Sequence, residues 1–482
     1  MVNLASIVLY AWPLVVIVLF RKLPLAEAIA ASVLFGFLML PTQIGFSVPG
    51  LPSFDKDFIP VLAATILALG AISKHAARAA AQVRPGIFPQ HWLGRLLIAM
   101  LILGPFGTAL TNGDRQMAGP LVLQALSLYD AFSIVSSVLG NLMLFLLGRK
   151  FLGHPDSQKA VLKVLVIGGI VYAALALFEV RMSPRLNLML YGFHPKSWIQ
   201  SLRGGGYRPM IFLETGLYVA MFLGCMAVAA FSAMRMASGK ARTRYMWAGI
   251  FIYVTLILSN SLGALMIATA LLPVVLFLSL RIQLLTAGLV AAMVLTYPML
   301  RGADLIPTQR VLAFVEQVNP DRVGSLAFRL GNEDILMDRA RQRPLFGWGG
   351  WNRGRVYDEE GRDLSVTDGR WVIIFGQGGW VRYLAEYGLM TAPILLLAFR
   401  RRSKGLEPAT VGLALVLAAN LMDSIPNGGV HTVTWLLAGA LMGRVDWGWV
   451  DAAAPATGQT PAIPMPARRY TRQLVRHSRS GG

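Results

Sequence analysis

Apolar stretches recur along the whole sequence, each of roughly 20 residues, the number that a helix needs to cross the hydrocarbon core of a bilayer. Thirteen can be read, at about 3–20, 24–41, 58–73, 96–112, 131–148, 160–178, 209–231, 245–260, 262–280, 283–299, 378–399, 408–425 and 429–443. Charged residues make up only 14% of the chain, about half the share usual in soluble domains. The sequence therefore predicts an all-α polytopic membrane protein with about 13 transmembrane helices.

The sequence lacks the residue patterns of disulfide scaffolds, zinc sites and nucleotide-binding sites. The single cysteine, Cys225, excludes a disulfide scaffold, and six unclustered histidines predict no zinc site. No glycine-rich nucleotide-binding motif is present. The net charge of +20 is attributed to membrane orientation and to contact with anionic membrane lipids rather than to nucleic acid. We therefore predict no metal, no cofactor and no nucleic-acid partner.

Basic residues in the short loops predict the orientation, because such loops stay on the cytoplasmic side. They cluster at 21–22, 74–95, 149–150, 235–244, 281 and 400–404, after every second span. This predicts an external N-terminus and a cytoplasmic C-terminus. Residues 451–482 are rich in proline and alanine and then basic, which predicts a disordered tail behind a transmembrane domain of residues 1–450. The tail either binds the inner leaflet or serves only as an orientation signal.

Two long connections, at about 179–208 and 300–377, then face the outside. Loops of this length rarely lack structure of their own. Within the second loop, apolar residues recur with helical spacing at 309–318 and 326–341. We therefore expect short helices packed over the outer membrane surface.

Charged residues near the outer ends of spans are the first candidates for chemistry, because charge at membrane depth is costly and usually functional. Arg208 follows three glycines that let a ligand approach the backbone. Glu214 is expected about one and a half turns deeper in the same span, and Asp423 near the outer end of another. The alternatives are an arginine that only reaches toward water and buried acids paired with neighbouring helices.

Arginines also crowd the second long loop, at Arg329, Arg341 and Arg343, just before Trp348. A guanidinium is a planar fork of donors that suits phosphate oxygens. Above apolar spans, these residues predict binding of a lipid-linked phosphate or diphosphate, with ion pairs to nearby loop acids as the alternative. Asp368, where the loop returns to the membrane, is either an acid–base group or a turn residue.

The order of these motifs resembles that of a known family. An arginine enters a span after an outer loop, and a serine-rich turn follows at 259–264. The long loop contains Pro-Leu-Phe-Gly-Trp-Gly at 344–349, and a helix carries Glu-Tyr-Gly-Leu at 386–389. Over residues 200–445 the chain is similar to the O-antigen ligase and O-antigen polymerase superfamily of bacterial membrane glycosyltransferases. The resemblance implies a GT-C-like helical fold in the bacterial inner membrane, with its site at the periplasmic face.

The resemblance also implies substrates and roles. The donor is a glycan on an undecaprenyl diphosphate carrier, and the acceptor is a hydroxyl of another glycan. Arg208 matches the family's first essential arginine, expected to hold the diphosphate, with Arg329 stabilising it as it leaves. The chain departs from the family at Leu262, where many members have arginine, and at Asp368-Gly369, where many have His-Asn. We therefore expect Asp368 to be the general base. The expected substrate-binding residues are Glu214, Arg341, Arg343, Trp348 and Asp423.

The favoured function is polymerisation or transfer of lipid-linked oligosaccharide in exopolysaccharide or O-antigen biosynthesis, by a metal-independent glycosyltransferase working with other polysaccharide-assembly proteins. Three alternatives stay open: a ligase that transfers finished glycan to the lipid A core, a polysaccharide transporter or flippase, and a metal-dependent glycosyltransferase. The last would use Asp55 and Asp57, a carboxylate pair on the first outer loop that equally suits a helix start.

Overall fold

The computed structural model describes residues 3–74, 83, 86–194, 201–203, 206–318, 320, 323–399, 406–428 and 432–447. The predicted tail at 451–482 and the basic run at 400–404 lie outside the described residues. The described chain is mostly helical, and its helices are α1 (Leu4–Lys22), α2 (Leu25–Met39), α3 (Ile59–Lys74), α4 (Trp92–Leu110), α5 (Leu128–Phe151), α6 (Pro155–Met182), α7 (Leu186–Tyr191), α8 (Gly216–Met236), α9 (Gly239–Leu258), α10 (Leu262–Phe277), α11 (Leu280–Gly302), α12 (Thr308–Val318), α13 (Val323–Arg341), α14 (Arg370–Ala398), α15 (Pro408–Asp423) and α16 (Thr432–Trp447).

In the described residues, three antiparallel pairs of very short strands lie in the connections. They are β1 (Gly45–Phe46) with β2 (Phe54–Asp55), β3 (Gln116–Ala118) with β4 (Leu121–Leu123), and β5 (Leu202–Arg203) with β6 (Gly206–Tyr207). Each pair lies in a connection between two helices.

The prediction of a helical protein is confirmed. Each of the thirteen apolar stretches overlaps one helix, namely α1–α6, α8–α11 and α14–α16. Within the described residues, seven helices are long and apolar enough to cross a membrane: α1, α4, α5, α6, α8, α11 and α14. Four more, α2, α3, α10 and α15, are apolar but shorter. These helices indicate a membrane protein, and the count of thirteen crossings stays a prediction.

Two predicted helix starts differ from the structure by seven and eight residues. Helix α8 begins at Gly216 rather than near 209, because the preceding segment follows an irregular path with Ile211 at a φ of +51°. Glu214 therefore lies on the loop before α8 and not one and a half turns inside a helix. Helix α14 begins at Arg370, eight residues before the predicted 378, so the long connection is shorter than expected.

The long loop contains the two expected helices, α12 and α13. Glu333 on α13 accepts hydrogen bonds from Trp371 Nε1 at 3.2 Å and from the Tyr297 hydroxyl at 3.4 Å. Burial raises the pKa of Glu333 to about 7. These contacts attach α13 to the start of α14 and to the end of α11.

Helices α5 and α16 lie in direct backbone contact. A methyl group on Gly148 would clash with the Leu436 carbonyl oxygen, and one on Gly439 would clash with that of Phe145. Small residues permit such close approach between membrane helices. This packing fixes the first residue of α16, Thr432, beside the middle of α5.

Helix α14 is broken at Gly379, whose φ of 60° and ψ of −160° belong to a region nearly reserved for glycine. Four main-chain hydrogen bonds of 2.8–3.1 Å join the turn at 344–349 to the helix on both sides of the break. Their donors are the amides of Trp348, Gly349, Trp380 and Val381. The turn therefore replaces helical hydrogen bonds that the break removes.

Candidate functional site

A pocket of about 410 Å³ lies between the loop at 52–58, the middle of α5, the segment at 213–218 and the first residues of α14 and α16. We call it the polar pocket. Its polar lining residues are Ser53, Asp55, Lys56, Asp57, Ser137, Asn141, Glu214, Tyr218, Arg370 and Thr432. The lining therefore offers carboxylate, ammonium, guanidinium, amide and hydroxyl groups to a ligand.

Lys56 is buried in the wall of the polar pocket. Its Nζ donates to the Phe212 carbonyl oxygen at 3.3 Å. Burial lowers the pKa of Lys56, against the opposing pull of nearby carboxylates. Asp57 Oδ1 accepts a hydrogen bond of 2.7 Å from Thr432 Oγ1. Lys56 is thus bound to a main-chain carbonyl, and the negative charges of Asp57, Glu214 and Asp55 favour its charged form.

Asp55 and Asp57 have the contacts of a helix start. Asp55 Oδ1 accepts from the amides of Asp57 and Phe58 at 3.0 and 3.1 Å, just before α3 begins. Burial raises the pKa of Asp55. Among the described residues, no group of three His, Cys, Asp or Glu side chains is placed to hold a metal ion.

Glu214 and Arg370 complete the charged lining. Glu214, one of the predicted substrate-binding residues, is an exposed side chain on the wall of the polar pocket. Arg370, the first residue of α14, was missed by the sequence reasoning. Its side chain is 28% exposed, and its Nη2 donates to Glu386 Oε2 at 3.3 Å. Three carboxylates and two cations thus face one pocket.

Asp368, Arg329 and Asp423 were predicted independently, and the structure brings them together beside the polar pocket. Arg329 Nε lies 3.4 Å from Asp368 Oδ2, and Arg329 Nη1 donates to Asn427 Oδ1 at 3.0 Å. Asn427 Nδ2 donates to Asp423 Oδ1 at 2.7 Å. The next residue, Gly428, lines the polar pocket. The three predicted residues therefore form one polar cluster at its rim.

Arg208 occupies a different position. It is 8% exposed, and its Nη2 donates to the Asn260 carbonyl oxygen at 3.1 Å. Asn260 has a φ of +52° in the serine-rich turn. The side chain of Arg208 also packs against Gly216, where a methyl group would clash. Arg208 thus connects the serine-rich turn at 259–264 to the start of α8. It is not among the described residues that line the polar pocket.

Arg341, Arg343 and Trp348 lie elsewhere in the long loop. Arg343 Nη1 donates to Asn112 Oδ1 at 2.6 Å, and its Nη2 pairs with Asp114 at 2.9 Å. The Arg343 guanidinium lies 4.3 Å from the centre of the Trp348 ring. Arg341 is half-exposed. Arg343 and Trp348 thus attach the 344–349 turn to the end of α4, and substrate binding by these three residues stays a prediction.

The sequence contained one signal for the charged group to which Arg370 belongs. Arg382 and Glu386 lie inside the stretch predicted to span at 378–399, and charges in a span are functional candidates. Arg382 Nε pairs with Glu386 Oε1 at 2.7 Å. The link from these residues to Arg370 depends on the break at Gly379, which the sequence did not reveal.

Comparison with known proteins assigns no family. The chain matches no protein-family model, no curated protein and no solved structure.

Proposed function

We propose that the chain is a bacterial inner-membrane glycosyltransferase that polymerises oligosaccharide repeats carried on undecaprenyl diphosphate. The observation that carries the proposal is the polar pocket, in which carboxylates, an amide and hydroxyls face one space of about 410 Å³. Sugar hydroxyls donate and accept hydrogen bonds, so a lining of acceptors and donors suits them. The volume also lies within the range of about 300–1,000 Å³ usual for ligand pockets.

The helix directions support a periplasmic position for the polar pocket. We take all thirteen helices to cross the bilayer, so that successive helices run in opposite directions. Apart from the residues in the middle of α5, most residues that line the polar pocket then lie at one end, near the starts of α3, α8, α14 and α16. The basic pairs at 21–22 and 149–150 lie at the other ends of α1 and α5. Basic loops stay in the cytoplasm, and this supports the proposal that the polar pocket opens on the periplasmic side.

The proposed reaction is attack by an acceptor hydroxyl oxygen on the anomeric carbon of the donor sugar. A new carbon–oxygen bond forms as the bond to the carrier diphosphate breaks, and the diphosphate leaves with the electron pair. The hydroxyl proton passes to a carboxylate. We assign this role to Glu214, because its exposed carboxylate lines the polar pocket, whereas Asp368 is not among the described residues that line it. Arg329 and Arg208 are proposed to stabilise the leaving diphosphate.

The test is transfer by the purified protein in nanodiscs, with the lipid-linked saccharide that accumulates in a deletion strain as donor. Glu214→Gln should lose about 10²–10⁴-fold in rate, the usual scale of general-base catalysis. Asp368→Asn should lose much less, and Glu360→Gln, an exposed carboxylate on the long loop, should match the wild type. A large loss confined to Asp368→Asn would move the base to Asp368.

The same preparation separates the proposed enzyme from a transporter. Wild-type protein that moves the lipid-linked saccharide across proteoliposomes without forming a glycosidic bond would contradict the proposal. Product formed only on a lipid A core acceptor would identify a ligase instead of a polymerase.

The proposed membrane side has its own experiment. With Cys225 replaced by serine, Glu360→Cys should react with an impermeant thiol reagent in spheroplasts, because the long loop faces the periplasm. Lys240→Cys, at an exposed position in the first turn of α9, should react only after lysis. The opposite pattern of labelling would overturn the orientation.

A further inference from the structure

The break in α14 brings together two charged residues that are far apart in sequence. Arg370 and Glu386 are 16 residues apart, which corresponds to about 24 Å along a straight helix. Their Nη2 and Oε2 atoms are nevertheless 3.3 Å apart. The change of direction at Gly379 therefore creates this contact.

Glu386 is shared between two arginines. Its Oε1 pairs with Arg382 Nε at 2.7 Å while its Oε2 accepts from Arg370, and Arg382 Nη1 donates to Gln377 Oε1 at 3.0 Å. Glu386 is 1% exposed and Arg382 15%, whereas Arg370 is 28% exposed at the polar pocket. Two guanidinium groups and one carboxylate leave one net positive charge, and Arg370 is the member that reaches the pocket.

Arg370 is better suited than Lys56 to receive an anion. Lys56 is held by a main-chain carbonyl and lies between two aspartates. Within the described part of the chain, Arg370 Nη1 has no hydrogen-bond partner, since Glu386 engages only Nη2. A guanidinium fixed on one side by a carboxylate offers its remaining N–H groups in a defined plane to phosphate oxygens.

We infer that Arg370 binds the diphosphate group of the carrier lipid and that Glu386 is a positioning residue that holds Arg370 at the wall of the polar pocket. The inference rests on the proposed function, which it extends to a further ligand of the donor. Glu386 does not touch the substrate. It fixes the guanidinium across the break, so that little side-chain freedom is lost when the diphosphate binds.

The test uses farnesyl diphosphate, a soluble prenyl diphosphate, binding to the full chain in detergent by isothermal titration calorimetry. Arg370→Ala should weaken binding about 10- to 100-fold, the scale of hydrogen bonds to charged groups. Glu386→Gln should weaken it by a similar factor, and Glu386→Asp by less. The double variant Arg370→Ala/Glu386→Gln should be no weaker than Arg370→Ala alone, because both changes remove one interaction. Arg362→Ala, an arginine on the loop that is 76% exposed, is the matched control.

Binding of farnesol separates positioning from general loss of structure. Farnesol, which lacks the diphosphate, should bind the wild type and Glu386→Gln equally, whereas a merely structural effect would weaken farnesol and farnesyl diphosphate alike. If Glu386→Gln does not fold, Arg370→Ala and Glu386→Asp decide the outcome. Equal affinity of wild type and Arg370→Ala for farnesyl diphosphate, or no binding by the wild type, would overturn the inference.

The two proposals can fail separately. Binding that depends on Arg370 without any glycosyl transfer would refute the enzyme and leave the diphosphate site standing. Glycosyl transfer with a donor KM unaffected by Arg370→Ala would refute the site and leave the enzyme standing.

Discussion

Gly379→Ala tests whether the break in α14 holds the candidate site together. An alanine at a φ of 60° and a ψ of −160° is strained by about 1–3 kcal/mol. Its methyl group would also clash with the carbonyl group of Leu345, and forced overpacking of this kind costs about 1–3 kcal/mol more. We therefore expect the free energy of unfolding to fall by about 2–6 kcal/mol.

Gly376→Ala is the matched control on the same helix. A methyl group there would meet no atom of the described chain within 4 Å. Because alanine favours a helix interior by about 1 kcal/mol over glycine, this variant should be as stable as the wild type or slightly more so. Both are measured by thermal unfolding in detergent, followed by tryptophan fluorescence. A wild-type midpoint for Gly379→Ala, or an equal loss in both variants, would refute the reasoning.

Three further changes have defined outcomes. The pKa of Glu333 in the native protein is about 7, so the free energy of unfolding of the wild type should fall by up to about 3 kcal/mol as pH rises from 4.5 to 7. Glu333→Gln should remove this pH dependence. Thermal unfolding of both proteins across that pH range measures it. Arg343→Ala should lower the free energy of unfolding by about 1.5–3 kcal/mol. Arg341 is half-exposed, so Arg341→Ala should lower it by less than about 1 kcal/mol. The melting midpoints of the two variants are compared. Arg208→Lys should recover little of the polymer lost in Arg208→Ala, because an ammonium lacks the planar fork; gel analysis of polymer at equal protein abundance checks this.

The sign of the Glu333 prediction follows from its burial. Above pH 4.5 the carboxyl ionises in the unfolded chain, while in the native protein it keeps its proton until about pH 7. The native state therefore binds more protons across this window, and stability falls as pH rises. Unfolding curves whose pH dependence is unchanged in Glu333→Gln would show that another group is responsible.

The helices could be predicted because each needs only a local signal. A stretch such as 160–178 is apolar throughout, and the structure extends it as α6 from Pro155 to Met182. The helical spacing at 326–341 likewise predicted α13. Boundaries were less accurate where the backbone follows tertiary contacts, as before Gly216, since no local pattern shows that the chain leaves the helix there.

The candidate site was only partly predictable, because it is made by contacts between distant segments. Arg329, Asp368 and Asp423 were each singled out by type and position, and their meeting depends on Asn427 in the turn after α15. Arg370 was missed because the predicted connection at 300–377 included it, whereas in the structure it is the first residue of α14. Arg370 can form its ion pair with Glu386 only because the helix bends at Gly379.

The 344–349 turn shows why a motif can be specific without carrying chemistry. Gly347 and Gly349 have φ values of +65° and +84°, and a methyl group on Gly347 would lie 2.5 Å from the main chain at Gln377–Gly378. Gly347 is therefore required by close backbone approach to the broken helix, and Gly349 by its left-handed backbone conformation. The turn fixes the bend, and the bend sets Arg370 against Glu386. In this chain the motif therefore supports the site, and the reacting groups are to be sought among the charged side chains that the bend brings to the polar pocket.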